Sequence, residues 1–234
     1  SWLLLNLLRS SGITIMTVVV SIILVYTSLN ICGNLVLYFF RFDVGNEGAY
    51  SIFAAVAFAA QVLVMMVIPL LRKRFSKSQL FISGFIIQIS GFAVILIMAF
   101  AKLYTPQSWY ILCLPGILIY LGYGMLNVIM TIFLSDSVDY GEVMNGTREE
   151  SVIFSMQTFT VKLASGVAVF LAGLVVDWIH LDTAAAVQTQ DTLDALRMWM
   201  TIPSVILLIV GIFVFKRFYK LDDTRMEEIK SKLN

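Results

Sequence analysis

The charge of this chain is concentrated in one place. Asp136 to Glu150 reads DSVDYGEVMNGTREE and brings Asp136, Asp139, Glu142, Arg148, Glu149 and Glu150 into fifteen residues. Carboxylates around one guanidinium can form charge-assisted hydrogen bonds, which are shorter and stronger than neutral ones. A second reactive group stands alone. Lys162 is the one charge in the apolar stretch from Ser151 to Val176. At ~1.5 Å per residue from Ser151, it lies about 16 Å into a helix, near the middle of a bilayer. A lysine there costs at least ~2.5–3.5 kcal/mol, so it must face protein or water and have a polar partner. No carboxylate lies within the other apolar segments, so its partner is expected outside this chain, or among carbonyls and waters. Its depth argues against snorkelling to an interface.

Neutral polar residues fall on helical faces. Tyr26, Asn30, Asn34 and Tyr38 recur every four residues in the first apolar segment. Tyr120, Tyr123, Asn127 and Thr131 do so at spacings of three and four in the fourth. An aromatic ring beside amide and hydroxyl groups suits a sugar, whose C–H face stacks while its hydroxyls hydrogen-bond. A polar seam that only holds helices together has the same spacing. In the fifth segment Ser155, Thr158, Lys162, Ser165 and Gly166 form a stripe, with Ala164, Ala168 and Ala172 largely on another face.

The elements that must carry these groups are membrane helices. The chain is 59% hydrophobic, with a mean hydropathy of +0.90, which excludes an ordinary soluble domain. A net charge of +1 gives no surface for nucleic acid. Cys32 and Cys113 lie in apolar segments, far from any metal-ligand pattern. The predicted fold is all-α and membrane-integral, with six spans at about 12–40, 48–71, 78–101, 109–134, 151–176 and 198–218. Residues 1–11 are expected to form a cytoplasmic segment, 135–150 a polar connection with Gly141 and Gly146 as turn residues, and 219–234 a tail helix. Pro115, Gly116, Gly122 and Gly124 predict an easily bent fourth helix. Gly84 and Gly91, one heptad apart, predict close packing of the third.

Basic residues orient the bundle. Of the 16, twelve fall on the side of the termini and the acidic motif, including Arg72, Lys73, Arg74 and Lys77. That side is therefore expected to be cytoplasmic, with both termini, in a cell (inner) membrane.

The ordered positions Asp136, Asp139, Tyr140, Gly141, Glu142, Gly146, Arg148, Glu150, Gln157, Thr158 and Lys162 carry a family resemblance. D-x-x-D-Y-G-E, then G-x-R-x-E, then Q-T-x-x-x-K resembles the glycoside–pentoside–hexuronide:cation symporters of the major facilitator superfamily. The resemblance implies secondary active transport of a sugar or glycoside with a cation, by alternating access between two six-helix halves. This chain resembles the C-terminal half, and its start at Ser1 without a cleavage motif fits a piece of a longer chain. By the same resemblance, Asp136, Asp139, Tyr140, Glu142, Arg148 and Glu150 belong to a cytoplasmic gate, paired with the opposite half. Lys162 and Thr158 match positions at or near the coupling-cation site, whose carboxylates lie in the N-terminal half, so no metal site is expected within this chain alone. The cation would be sodium, a proton or lithium, and no cofactor is implied. Melibiose carriers have a sugar-contacting tryptophan nine residues before the first motif aspartate, where this chain has Asn127.

Two other readings compete. Asp136, Asp139 and Arg148 resemble part of the metal site of CDP-alcohol phosphotransferases, but those enzymes need a second aspartate pair on an adjoining helix. The helix after the motif has no acidic residue before Asp177, so an enzyme is not expected. The remaining alternative is a self-contained six-span protein, acting as a homodimer or a non-transporting scaffold.

Overall fold

The computed structural model describes residues 2–146, 148, 150–219, 227 and 231, with the side chains of 2–11 and of Met144 and Asn145 outside that description. The predicted tail helix therefore lies almost wholly outside the described residues.

Six long helices make up most of the described residues. They are α1 (Trp2–Tyr38), α2 (Ala49–Leu71), α3 (Lys77–Ala101), α4 (Cys113–Asn145), α5 (Glu150–Trp178) and α6 (Gln190–Phe218). A π-helical stretch, Phe39–Val44, continues α1, and a 3₁₀ turn, Trp109–Leu112, leads into α4. All six are long and apolar enough to cross a membrane.

The boundaries differ from the expected ones where polarity and helix ends part company. Residues 2–11 are continuous with the first span, because α1 already begins at Trp2. It runs through its π turn to Val44, four residues past the expected end, and stops at Gly45, whose φ of 77° suits glycine. The predicted connection at 135–150 is mostly helix, since α4 continues to Asn145 and is capped at Gly146, φ 72°, whose N–H reaches the Glu142 carbonyl. Charge there marks where the chain leaves the apolar layer. It does not mark where the backbone stops winding. For the same reason α6 starts at Gln190, behind the Thr189 cap, rather than at 198.

Pro115 is the third residue of α4, where the backbone donor it lacks has no helical partner to lose. Its glycines serve close packing. A Cβ at Gly122 would stand 2.5 Å from the Gln88 nitrogen and 2.6 Å from the Gly84 carbonyl oxygen. Gly84 and Gly91 meet α4 from the other side, as their spacing predicts.

The packing repeats itself. Helix α1 packs on α5 and α6, α4 packs on α2 and α3, and α1–α4 and α3–α6 contacts close the bundle. Exchanging α1, α2 and α3 with α4, α5 and α6 leaves this set unchanged. The described helices thus pair as two three-helix units with matching main contacts, as in the nested repeats of the fold the sequence resembles. Phe81, Phe133 and Phe215 join α3, α4 and α6 with ring centroids 4.7–5.5 Å apart. This aromatic cluster underlies one end of the bundle, called here the motif end.

Candidate functional site

The polar faces of α1 and α4 meet. Asn127 of α4 donates to Tyr26 Oη of α1 at 2.7 Å. The Tyr26 ring packs edge-on against Tyr123 at 5.5 Å, and Tyr123 against Tyr120 at 6.4 Å. Asn30 and Asn34 each donate to the carbonyl one turn back, Tyr26 and Asn30 respectively, at 2.7 Å. Tyr26, Asn30, Asn34, Tyr120 and Asn127 are half-buried, Tyr123 is buried and Thr131 is exposed. Their rims remain accessible while their backbones are fixed. Tyr38 sits apart, stacked on Phe42.

Helix α5 extends this surface. Gln157 donates to Thr131 Oγ1 at 3.5 Å, a bond at the limit of reach. Ala164, Ala168 and Ala172 are buried, as their spacing predicts, where α5 packs on α1. Ser155, Thr158 and Lys162 are exposed on another side. Thr158 returns its hydroxyl to the Phe154 carbonyl at 3.1 Å. Lys162 has no hydrogen-bond or ion-pair partner among the described residues. A groove of about 530 Å³ lies further along α1 and α5, bounded by Asn34, Tyr38, Gly173 and Asp177 among others.

At the motif end the charges find partners inside the chain. Arg148 donates to Glu142 at 2.9 Å, and to Asp139 and Glu150 at 3.1 Å each. The bonds from Glu142, Glu150 and Asp139 raise the guanidinium pKa above its ordinary value, so it stays charged. One arginine thereby ties the last turns of α4 to the first turn of α5. Asp136 is buried and bonded to Lys77, the first residue of α3. Burial at Asp136 requires a local cation, because an unpaired carboxylate there would be too costly. Tyr140 is buried one helical turn beyond Asp136.

The opposite end holds a cluster that the sequence reading did not single out. Arg197 of α6 grips Asp43 at the end of α1 with a two-pronged contact, Nε to Oδ2 at 2.6 Å and Nη2 to Oδ1 at 2.7 Å. Its Nη1 donates to Asp194 at 2.9 Å, and Tyr104 donates to Asp43 at 3.0 Å. The Arg197 and Asp43 side chains are 3% and 5% exposed. Burial and the nearby Asp43 carboxylate push the Tyr104 hydroxyl pKa up, so it remains a donor. Asp43 and Arg197 lie 154 positions apart. A sign of their pairing is present in the sequence, but over a separation no local pattern spans.

With this geometry in view, comparison with known proteins is specific. The family described as MFS/sugar transport protein matches residues 10–223. An uncharacterized symporter of Bacillus subtilis (strain 168), YjmB, is 25% identical over 94% of this chain and 46% of its own length. The isoprimeverose transporter of Lactiplantibacillus pentosus is 26% identical over 80% of the chain and 37% of that protein. The raffinose carrier protein of Pediococcus pentosaceus is 22% identical over 88% and 31%. The chain spans less than half the length of these curated relatives. Six apolar helices and the family match together identify a multi-pass membrane protein of a transporter rather than an enzyme family, and the chain belongs to the MFS/sugar transport protein family.

Proposed function

We propose that this chain acts as one six-helix half of a sugar:cation symporter that works by alternating access. The observation that carries the reading is the joined polar surface of Tyr26, Asn127, Thr131 and Gln157, continued on α5 by exposed Thr158 and Lys162. Hydroxyl, amide and aromatic groups on that surface match the hydrogen-bonding and stacking faces of a sugar. An intramembrane lysine on an exposed helix side calls for a polar partner. The motif family assigns the cation carboxylates to the other half. Lys162 compensates their charge when the cation leaves, and Thr158 offers its hydroxyl to the cation or to a water beside it. Sodium, a proton or lithium would serve as the coupling ion.

The motif end faces the cytoplasm in this reading, with both termini, because most of the basic residues lie there. The Arg148 network and the Lys77–Asp136 pair then belong to the cytoplasmic gate. The opposite half closes against these turns of α4 and α5 when the inward path is shut.

Counterflow in proteoliposomes tests the reading. Residues 1–234 alone should give no exchange of labelled glycosides. The same chain joined to a six-helix N-terminal half should exchange them, faster in a sodium or proton gradient. Exchange by residues 1–234 alone would favour a self-contained homodimer. No exchange by the joined protein, across a panel of glycosides, pentosides and hexuronides, would overturn the proposal.

A further inference from the structure

The two buried ion pairs occupy equivalent places in the two three-helix units. Lys77 joins the start of α3 to Asp136 of α4 at the motif end. Arg197 joins the early part of α6 to Asp43, at the close of α1, at the other end. Exchanging the units converts an α3–α4 pair into an α6–α1 pair, so each maps onto the other. The sequence carries the same relation. Asn34 and Asp43 stand nine residues apart, as Asn127 and Asp136 do. Lys77 and Gly91 stand fourteen apart, as Arg197 and Gly211 do. In both units the asparagine belongs to the polar face, the aspartate follows nine residues later, and the cation comes from the third helix of the other unit.

We infer that Asp43 and Arg197 are positioning residues for transport, holding the outer end of α1 as Lys77 and Asp136 hold the inner end of α4. The two pairs thereby bias opposite sides of the carrier. This rests on the transporter reading above. The outer pair is held at several points, since the planar guanidinium meets both carboxylate oxygens while Tyr104 and Asp194 add a bond each. It fixes a π-helical stretch whose side chains are ready to meet a partner. Phe42 stacks on Tyr38, and the Arg41 guanidinium lies 5.0 Å from the Phe42 ring centre. Tyr38 and Phe42 are half-buried and Arg41 is exposed. Arg41 also reaches Glu47 at 3.6 Å. A π turn inside a long helix is frequently a place where function needs a local change of register. When Asp43 is released, α1 loses its attachment to α6 there, and the outward-closed arrangement loses the surface it closes on. An interaction held in one state only shifts the balance by its differential free energy.

The test reads sidedness rather than transport. In the full carrier containing this chain, Cys32 and Cys113 are replaced by serine. Single reporters are then placed at Gly173→Cys, where an added Cβ meets nothing within 4 Å, and at exposed Ser155→Cys. Membrane-impermeant maleimide is applied from each side in the absence of sugar. Asp43→Asn should raise Gly173→Cys labelling from outside about fivefold, and lower Ser155→Cys labelling from inside. Lys77→Gln should do the reverse. The exchanged pair Asp43→Arg with Arg197→Asp should move the ratio back toward wild type. If Asp43→Asn fails to reach the membrane, the neutral double variant Asp43→Asn with Arg197→Gln carries the same expectation. Both pairs shifting the ratio in one direction, or neither shifting it in a folded carrier, would overturn the inference. Wild-type counterflow is measured in parallel. Its failure counts against the transporter reading, whereas normal counterflow with an unmoved labelling ratio counts against the outer pair alone.

Discussion

Asn127 and Tyr26 lie 101 positions apart and share a 2.7 Å hydrogen bond, with the Asn127 amide donating to the phenolic oxygen. This bond is where α4 and α1 present one surface rather than two. It uses one amide proton of Asn127 and one lone pair of Tyr26. Tyr26→Phe should therefore keep the ring packing against Tyr123 and lose the bond. Sugar affinity in the complete carrier is expected to fall roughly tenfold, equivalent to ~1.4 kcal/mol, within the net worth of one or two hydrogen bonds. Asn127→Ala should weaken binding further by removing the amide altogether. Isothermal titration with the transported sugar measures both. Unchanged affinity in both variants would assign this bond to helix packing alone.

Arg148 is a hub between two helices, and removing it takes one partner from each of three carboxylates. The network is exposed, so the loss to folding should be small. The effect belongs to the gate. In the complete carrier, Arg148→Ala should leave sugar binding within about twofold of wild type while slowing net uptake roughly tenfold. Labelling of Ser155→Cys from the cytoplasmic side should increase. Arg148→Lys should recover only part of the rate, because an ammonium cannot reproduce a fork that serves three carboxylates. Wild-type uptake with wild-type labelling in Arg148→Ala would reduce these turns to a connection.

Much of this was legible in the sequence, for reasons that also explain the rest. Six apolar runs of sufficient length gave the six helices. The four-residue spacing placed Tyr26, Asn30 and Asn34 on one face, and the alanine spacing in α5 matched its buried side. These are local signals read within one helix. The end of α4 was misjudged because Asp136, Asp139 and Glu142 read as loop chemistry, while the backbone remains helical to Asn145. Asp136 was noticed as part of a motif, but its partner Lys77 lies 59 positions away and had been read only as one of a basic cluster. Asp43 and Arg197 are separated by 154 positions. Pairings of that kind are set by how helices stack. Once the two units are superposed by their contacts, the nine-residue spacing of Asn34 and Asp43 is seen to repeat that of Asn127 and Asp136.

Lys162 offers the sharpest test of coupling. It is exposed on α5, one turn beyond Thr158, in a stretch otherwise free of charge. An ammonium in this setting must interact with polar groups that α1 to α6 do not supply among the described residues. If those groups are the cation carboxylates of the other half, Lys162 and the cation compete for the same negative charge. The lysine then neutralises the site when the cation has gone, and withdraws when it is bound. Lys162→Ala should abolish cation-driven accumulation while sugar binding persists, and the gain in sugar affinity on adding sodium should disappear. Thr158→Ala should reduce that gain without abolishing it, since one hydroxyl among several oxygen ligands contributes only part of a hard cation's coordination. Lys162→Arg should rescue poorly, because a planar fork cannot take the place of a compact ammonium. The measurement is sugar affinity with and without sodium, beside accumulation in a sodium gradient, in a carrier first shown to use sodium. A Lys162→Ala protein that keeps both the sodium-linked gain and full accumulation would place Lys162 outside the coupling cycle, as a group serving helix packing alone.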